Sequence, residues 1–125
     1  MIVIAIIGIL AAIAIPNFIS YRNKSFCSGV ESDANNIAAA IADYFAIPSN
    51  VSISTASLVA KGMDAAQSNG NTWAIDASDI DNIMITVNDA STRCPSDYSG
   101  PASAAANPKG YWNAAGTAYV KSMAN

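Results

Sequence analysis

The first fifteen residues, Met1 to Ile15 (MIVIAIIGILAAIAI), carry no polar side chain, and the first charge in the chain is Arg22. A helix apolar on every side cannot rest with one face in water, so it needs lipid or protein all round. Fifteen helical residues rise about 22 Å, short of the roughly 30 Å hydrocarbon core that takes about 20 residues to cross. Three readings fit such a segment: part of a transmembrane helix, the apolar stretch of a cleavable signal peptide, or a core helix buried against copies of the same chain. A signal peptide opens with positive charge and closes on a small-x-small site. Ala12-Ile13-Ala14 offers the second feature, and nothing before it offers the first.

Beyond Pro16 the apolar and small positions Ile19, Phe26, Val30, Ala34, Ile37, Ile41 and Tyr44 or Phe45 recur at steps of seven, then three or four. That spacing predicts one stripe of an amphipathic helix, with Arg22, Asn23, Glu31, Asp33, Asn35 and Asp43 on the opposite face. The pattern stops at Ile47-Pro48-Ser49-Asn50, where proline and turn formers end helices. The predicted helix runs from near Met1 to about Ala46, a length of about 68 Å, more than a domain of this size covers, so its front half projects. Within it Pro16 removes a backbone hydrogen bond and Gly8 is a second weak point, which makes the stretch between them the place to bend or unwind.

The remaining chain predicts a small antiparallel sheet on the rear half of that helix, an α+β fold. Residues 1–24 form the projecting hydrophobic part; residues 25–125 form a head of helix, connecting loop, sheet and C-terminal loop. Val51 to Lys61 mixes Ser, Thr and aliphatics, compatible with a strand or a short helix, and is read with Ser68-Asn69-Gly70-Asn71 as a connecting region. Trp73-Ala74-Ile75 and Ile80 to Asn88 read as strands, the latter because Ile83, Ile85 and Val87 alternate with Met84 and Thr86. Thr117 to Lys121 reads as another. Between them Cys94 to Gly110, punctuated by Pro95, Gly100, Pro101 and Pro108, reads as a surface loop.

Composition narrows function by exclusion. The chain has no histidine, so a Ser-His-Asp or Cys-His pair and any imidazole-bound metal are ruled out. Charged residues are 12% of the chain and the net charge is -3; the six basic residues form no run and leave no footprint for nucleic acid. No enzymatic activity and no cofactor are expected. The apolar 52% rests on 25 alanines and 16 isoleucines with two leucines, side chains suited to close helix packing.

The run MIVIAIIGILAAIAIPNFISYRNK resembles the N-terminal helix of type IV pilins, the subunits of bacterial retractable pili, and is most similar to the major pilins of the IVa kind. The resemblance covers the first 24 residues by sequence, the helix through Ala46 by pattern and the head by architecture. It implies a structural subunit held in the inner membrane, processed by a prepilin peptidase, handed to the pilus assembly machinery and packed with copies of itself into a surface filament. Such filaments serve adhesion, surface motility or DNA uptake. Ile4, Ile7, Gly8, Ala12, Ile15, Phe18 and Ile19 would then pack the filament core, and the helix would bend at Pro16 and melt between Gly8 and Pro16. Gly8 and Ala12 also have the small-xxx-small spacing of close helix pairs. Family members begin with an aromatic and, soon after, a glutamate, in a block like FTLIEL placed just before the residue that is Met1 here. Neither role falls on any residue of this chain, and the expectation is that its start is incomplete; six more apolar-rich residues would bring the helix to bilayer length.

Cys27 on the helix and Cys94 in the late loop form an even pair, which in an exported protein predicts a disulfide; two unpaired thiols are the alternative. Pilins more often pair two cysteines within the head. Phe18, Tyr21, Phe26, Tyr44 and Phe45 space aromatics along the helix, for filament packing or, as proposed for some pilins, electron conduction. Pro95, Tyr98, Gly100 and Pro101 mark the loop expected to form the outer contact surface. Asp76, Asp79 and Asp81 are read as solvated turn acids rather than calcium ligands, because they lack the glycine and distal glutamate of an EF-hand loop. The competing functions are a pseudopilin of a type II secretion system, which shares the helix, and a soluble secreted binding domain whose mature chain starts near Pro16.

Overall fold

Helix α1 spans Ile2–Phe45, 44 residues without an interior stop signal strong enough to end it before Ile47-Pro48. The computed structural model describes the backbone of residues 1–99 and 110–124 and, except at 14–17 and 96–97, their side chains. Asn50 closes the end of α1 by donating its Nδ2 to the Tyr44 carbonyl at 2.8 Å, one of the acceptors that a helix terminus leaves without a partner.

Four antiparallel strands follow: β1 (Thr72–Asp76), β2 (Met84–Asn88), β3 (Tyr111–Trp112) and β4 (Ala118–Ser122), in the order β1-β2-β4-β3. The register pairs Trp73 with Val87 and Ile75 with Ile85, so one face of the sheet gathers these side chains with Trp112 and Tyr119. On the helix Cys27, Val30, Ala34, Ile37 and Ile41 are buried at steps of three, four, three and four, and with Ile53, Leu58, Trp73, Ile83, Ile85, Val87 and Trp112 they form the core. Ala118 and Val120 belong to the other sheet face and are buried as well. The outer edge of β1 is occupied: Ala66 bridges Thr72, and the Ile75 amide donates to Thr55 Oγ1.

The α+β architecture and the helix bounds agree with expectation; several details do not. The segment read as a connecting region contains helix α2 (Thr55–Ala60), capped at its start by Ser54, whose Oγ accepts from the Ser57 amide. It ends where Gly62, at φ +99°, and Met63 donate back to the Val59 and Leu58 carbonyls. The strand expected from Ile80 begins only at Met84, because an Asp79 side chain accepting from the Asp81 amide turns the chain first. Within the loop expected from Cys94 to Gly110, Ser96–Ser99 form the one-turn helix α3, held by the Pro95 carbonyl accepting from the Tyr98 and Ser99 amides. Strand β3 follows that loop and joins β4 through a turn closed by Asn113, whose Oδ1 accepts from the Thr117 and Ala118 amides.

Asp33 also departs from the pattern. Read with the polar face it is expected to be a solvated carboxylate, yet it stands at the edge of the stripe, three residues from Val30 and four from Ile37, and is only 3% exposed. Ser68 Oγ donates to it and so does Asn71 Nδ2, each at 2.8 Å, and Asn71 Oδ1 in turn accepts from the Ala90 amide. This relay fixes α1, the 3-10 turn Ser68–Gly70 and the end of β2 to one another. Among the described residues no buried side-chain nitrogen or oxygen lacks a partner.

Candidate functional site

The feature that stands out is what the head leaves uncovered. Among the described residues of α1 the first buried one is Cys27; from Ile2 to Ile13 and at Phe18, Ile19 and Tyr21 the large side chains point into open space. Ile4 is 73% exposed, Ile7 61%, Phe18 68% and Ile19 55%; Ala12 is exposed too, and a Cβ built on Gly8 would meet nothing within 4 Å. These are the residues expected to pack a filament core, and within one copy they touch no part of the head. The side chains of Ile15 and Pro16 lie outside the described residues. The helical stretches on either side, Ile2–Ile13 and Phe18–Phe45, meet at 41°. Among the described residues no single helix is long and apolar enough to cross a membrane, whereas that bent pair satisfies the length and composition for it.

The change from bare to covered helix occurs at a cluster of long-range ties. Cys27 and Cys94 form the disulfide expected from their pairing, across 67 positions. The neighbouring Arg93 places its guanidinium 5.5 Å from the centroid of the Phe26 ring, a cation–π contact. One turn further along, Glu31 accepts from Trp112 Nε1 at 3.1 Å and from the Tyr98 hydroxyl at 3.4 Å. Burial, followed by the nearby Glu31 charge, raises the pKa of both Tyr98 and Tyr119. Glu31 and Arg93 escaped sequence reasoning; a signal for the first lies in Trp112, since a buried indole N–H needs an acceptor.

The aromatic residues of the helix separate into groups. Phe18 and Tyr21 are exposed, Phe26 sits under Arg93, and Tyr44 and Phe45 form an edge-to-face pair at 5.7 Å beside the core. Phe26 and Tyr44 are about 27 Å apart along the helix, so the helix aromatics by themselves form no continuous path among the described residues. In the surface loop Pro95 is half-buried and Tyr98 is exposed and tied to Glu31, while Gly100 and Pro101 lie outside the described residues. Asp76 and Asp79 accept from the Ser78 and Asp81 amides as turn formers, and the Ser78 bonds hold the Asp76 carboxyl below its usual range. Among the described residues no three of His, Cys, Asp or Glu gather to hold a metal ion.

Among the described residues the largest uncovered feature is the front half of α1. What it offers chemically is apolar area on a rod. Compared with protein-family models, curated proteins and solved structures, the chain matches none. The architecture, a long N-terminal helix followed by a small antiparallel sheet, is compatible with that of a pilin.

Proposed function

We propose that the chain is a structural subunit of a bacterial type IV pilus, polymerising through the front half of α1. The observation that carries this reading is the ring of large aliphatic side chains from Ile2 to Ile13, exposed on all sides and untouched by the chain's own head. Burying a single Ile or Leu side chain stabilises by about 1.5–3 kcal/mol, so the seven between Ile2 and Ile13 represent on the order of 10 kcal/mol, comparable with the whole stability of a small domain. A driving force of that size is met first by the inner membrane, where the subunit waits, and then by sister helices in the filament. Association between helices then rests on close packing, which the exposed Gly8 and Ala12 permit. The head stays outside the core and presents the loops that decide what the fibre touches.

Electron microscopy of material sheared from the surface of the native cells, with mass spectrometry of the purified fibres, tests the proposal. Thin filaments with this polypeptide as main component support it. A chain that stays in the membrane fraction without fibres transfers the reading to a pseudopilin of a secretion system. A soluble chain starting near Pro16 transfers it to a secreted binding domain.

A further inference from the structure

The charge of the molecule is sharply divided. Residues 1–24 hold Arg22 and Lys24 and no acid; the remaining residues hold four basic and all nine acidic side chains, a net of -5 against an overall -3. Fold and sequence place the basic charge together: Arg22 and Lys24 are exposed and Arg93, brought back across the disulfide, lies over Phe26, one helical turn above Arg22. Arg22 and Lys24 differ by about 200° around the helix and by only about 3 Å along it, so they ring the rod rather than mark a face. Phe18 and Tyr21, both exposed, lie just below them. Asp89, one of the two acids four positions from Arg93, is buried and its carboxylate is occupied by Ser91 and the Cys94 amide; the side chain of the other, Asp97, lies outside the described residues.

Met1 to Tyr21 contains no charged residue, so a helix drawn into lipid can enter the hydrocarbon only as far as its first charges, Arg22 and Lys24. Arg22, Lys24 and Arg93 therefore reach headgroup level, with Tyr21 at the depth where interfacial aromatic rings anchor helices and Phe18 a turn deeper. The disulfide beside them puts this level on the oxidising side of the membrane.

We propose that Phe18, Tyr21, Arg22, Lys24 and Arg93 form a collar that binds anionic phospholipid headgroups and sets the depth of the unassembled subunit. The assignment rests on the membrane stage of the function proposed above. Outside the collar the chain holds three basic and nine acidic side chains, a net of -6, which an anionic surface repels, so attraction to one reports the collar against the rest of the molecule. Each basic residue near such a surface is worth about five-fold in partitioning, and the effect is confined to roughly one Debye length, about 10 Å.

The test is flotation of the full chain with vesicles of phosphatidylcholine alone or with about one third phosphatidylglycerol, at low and high salt. Wild type is expected to prefer the anionic vesicles, and to lose that preference at high salt. R22Q/K24Q is expected to lower the preference about 25-fold and to leave binding to neutral vesicles and the thermal melt of the head unchanged. R93Q lowers it by a smaller factor, and K61Q/K121Q, which removes as much charge elsewhere, leaves it intact. Equal binding to both vesicles overturns the collar and leaves the membrane stage standing. Failure to bind even neutral vesicles overturns both. A preference that survives R22Q/K24Q overturns the assignment of these residues. If the charge dependence belongs to self-association instead, the partner is the acidic head of a second copy and the lipid assignment falls.

Discussion

The apolar residues of the two halves of α1 are of the same kinds and meet opposite fates. From Cys27 to Phe45 the apolar positions keep to one stripe, and a single sheet covers them; Val30, Ala34 and Ile37 are fully buried. From Ile2 to Ile13 the apolar residues surround the helix, and no single sheet could cover them whichever side it took. The difference teaches that pattern, more than hydrophobicity, decides whether a helix is satisfied within its own chain. A stripe folds the molecule; a sleeve commits it to surroundings.

One pair of variants would break that comparison most sharply. Ile37→Asp puts an unpaired carboxylate into the core and is expected to unfold the head, a loss of at least about 4 kcal/mol seen as disappearance of the cooperative melt. Ile7→Asp is expected to leave the melt unchanged and to reduce vesicle binding by about 3 kcal/mol, roughly 100-fold. If both variants damage the melt alike, the front half is packed on the head after all.

Removal of the disulfide comes next. Cys27→Ser with Cys94→Ser opens a loop of 67 positions and is expected to cost about 4 kcal/mol in urea unfolding followed by Trp73 and Trp112 fluorescence, without changing neutral-vesicle binding. Asp33→Ala is expected to cost about 1–3 kcal/mol, because it leaves the Ser68 and Asn71 donors buried without an acceptor. Little or no change in the urea midpoint would mean that water replaces the carboxylate.

The smallest effect is at alkaline pH. Tyr98 and Tyr119 hold their protons more tightly in the folded state than in the unfolded chain, so the stabilisation is complete below the unfolded value near 10 and declines as pH rises through the folded one. Stability should therefore fall above about pH 10, and the fall should shrink in Tyr119→Phe. An unchanged alkaline limb in that variant would show that Tyr119 does not contribute.

Much of the fold was legible because it repeats. The stripe from Val30 to Ile41 and the alternation from Ile83 to Val87 are long enough to show their periods, and two cysteines leave one pairing. What escaped was short or distant. Thr55–Ala60 has too few residues for a period of 3.6 to appear, and Tyr111–Trp112 too few for a period of two. Asp33 sits beside the stripe, and its burial is stabilised by Ser68 and Asn71, 35 and 38 positions away, whose polar side chains read only as turn formers. The uncovered front half was fully legible as a need, since no pattern in the chain provides its complement; the Arg93 contact that completes its upper rim depends on the return of the chain through the disulfide.

That return has a mechanical consequence. A pull on the bare end of α1 travels along the helix to Cys27 and there divides, part continuing up the helix and part crossing the bond into Cys94 and the strands beyond. The chain between the two cysteines, at about 3.4 Å per extended residue, would otherwise be about 220 Å of slack. With the bond closed none of that length can be paid out under load, and the subunit behaves as a short stiff link rather than an unravelling thread.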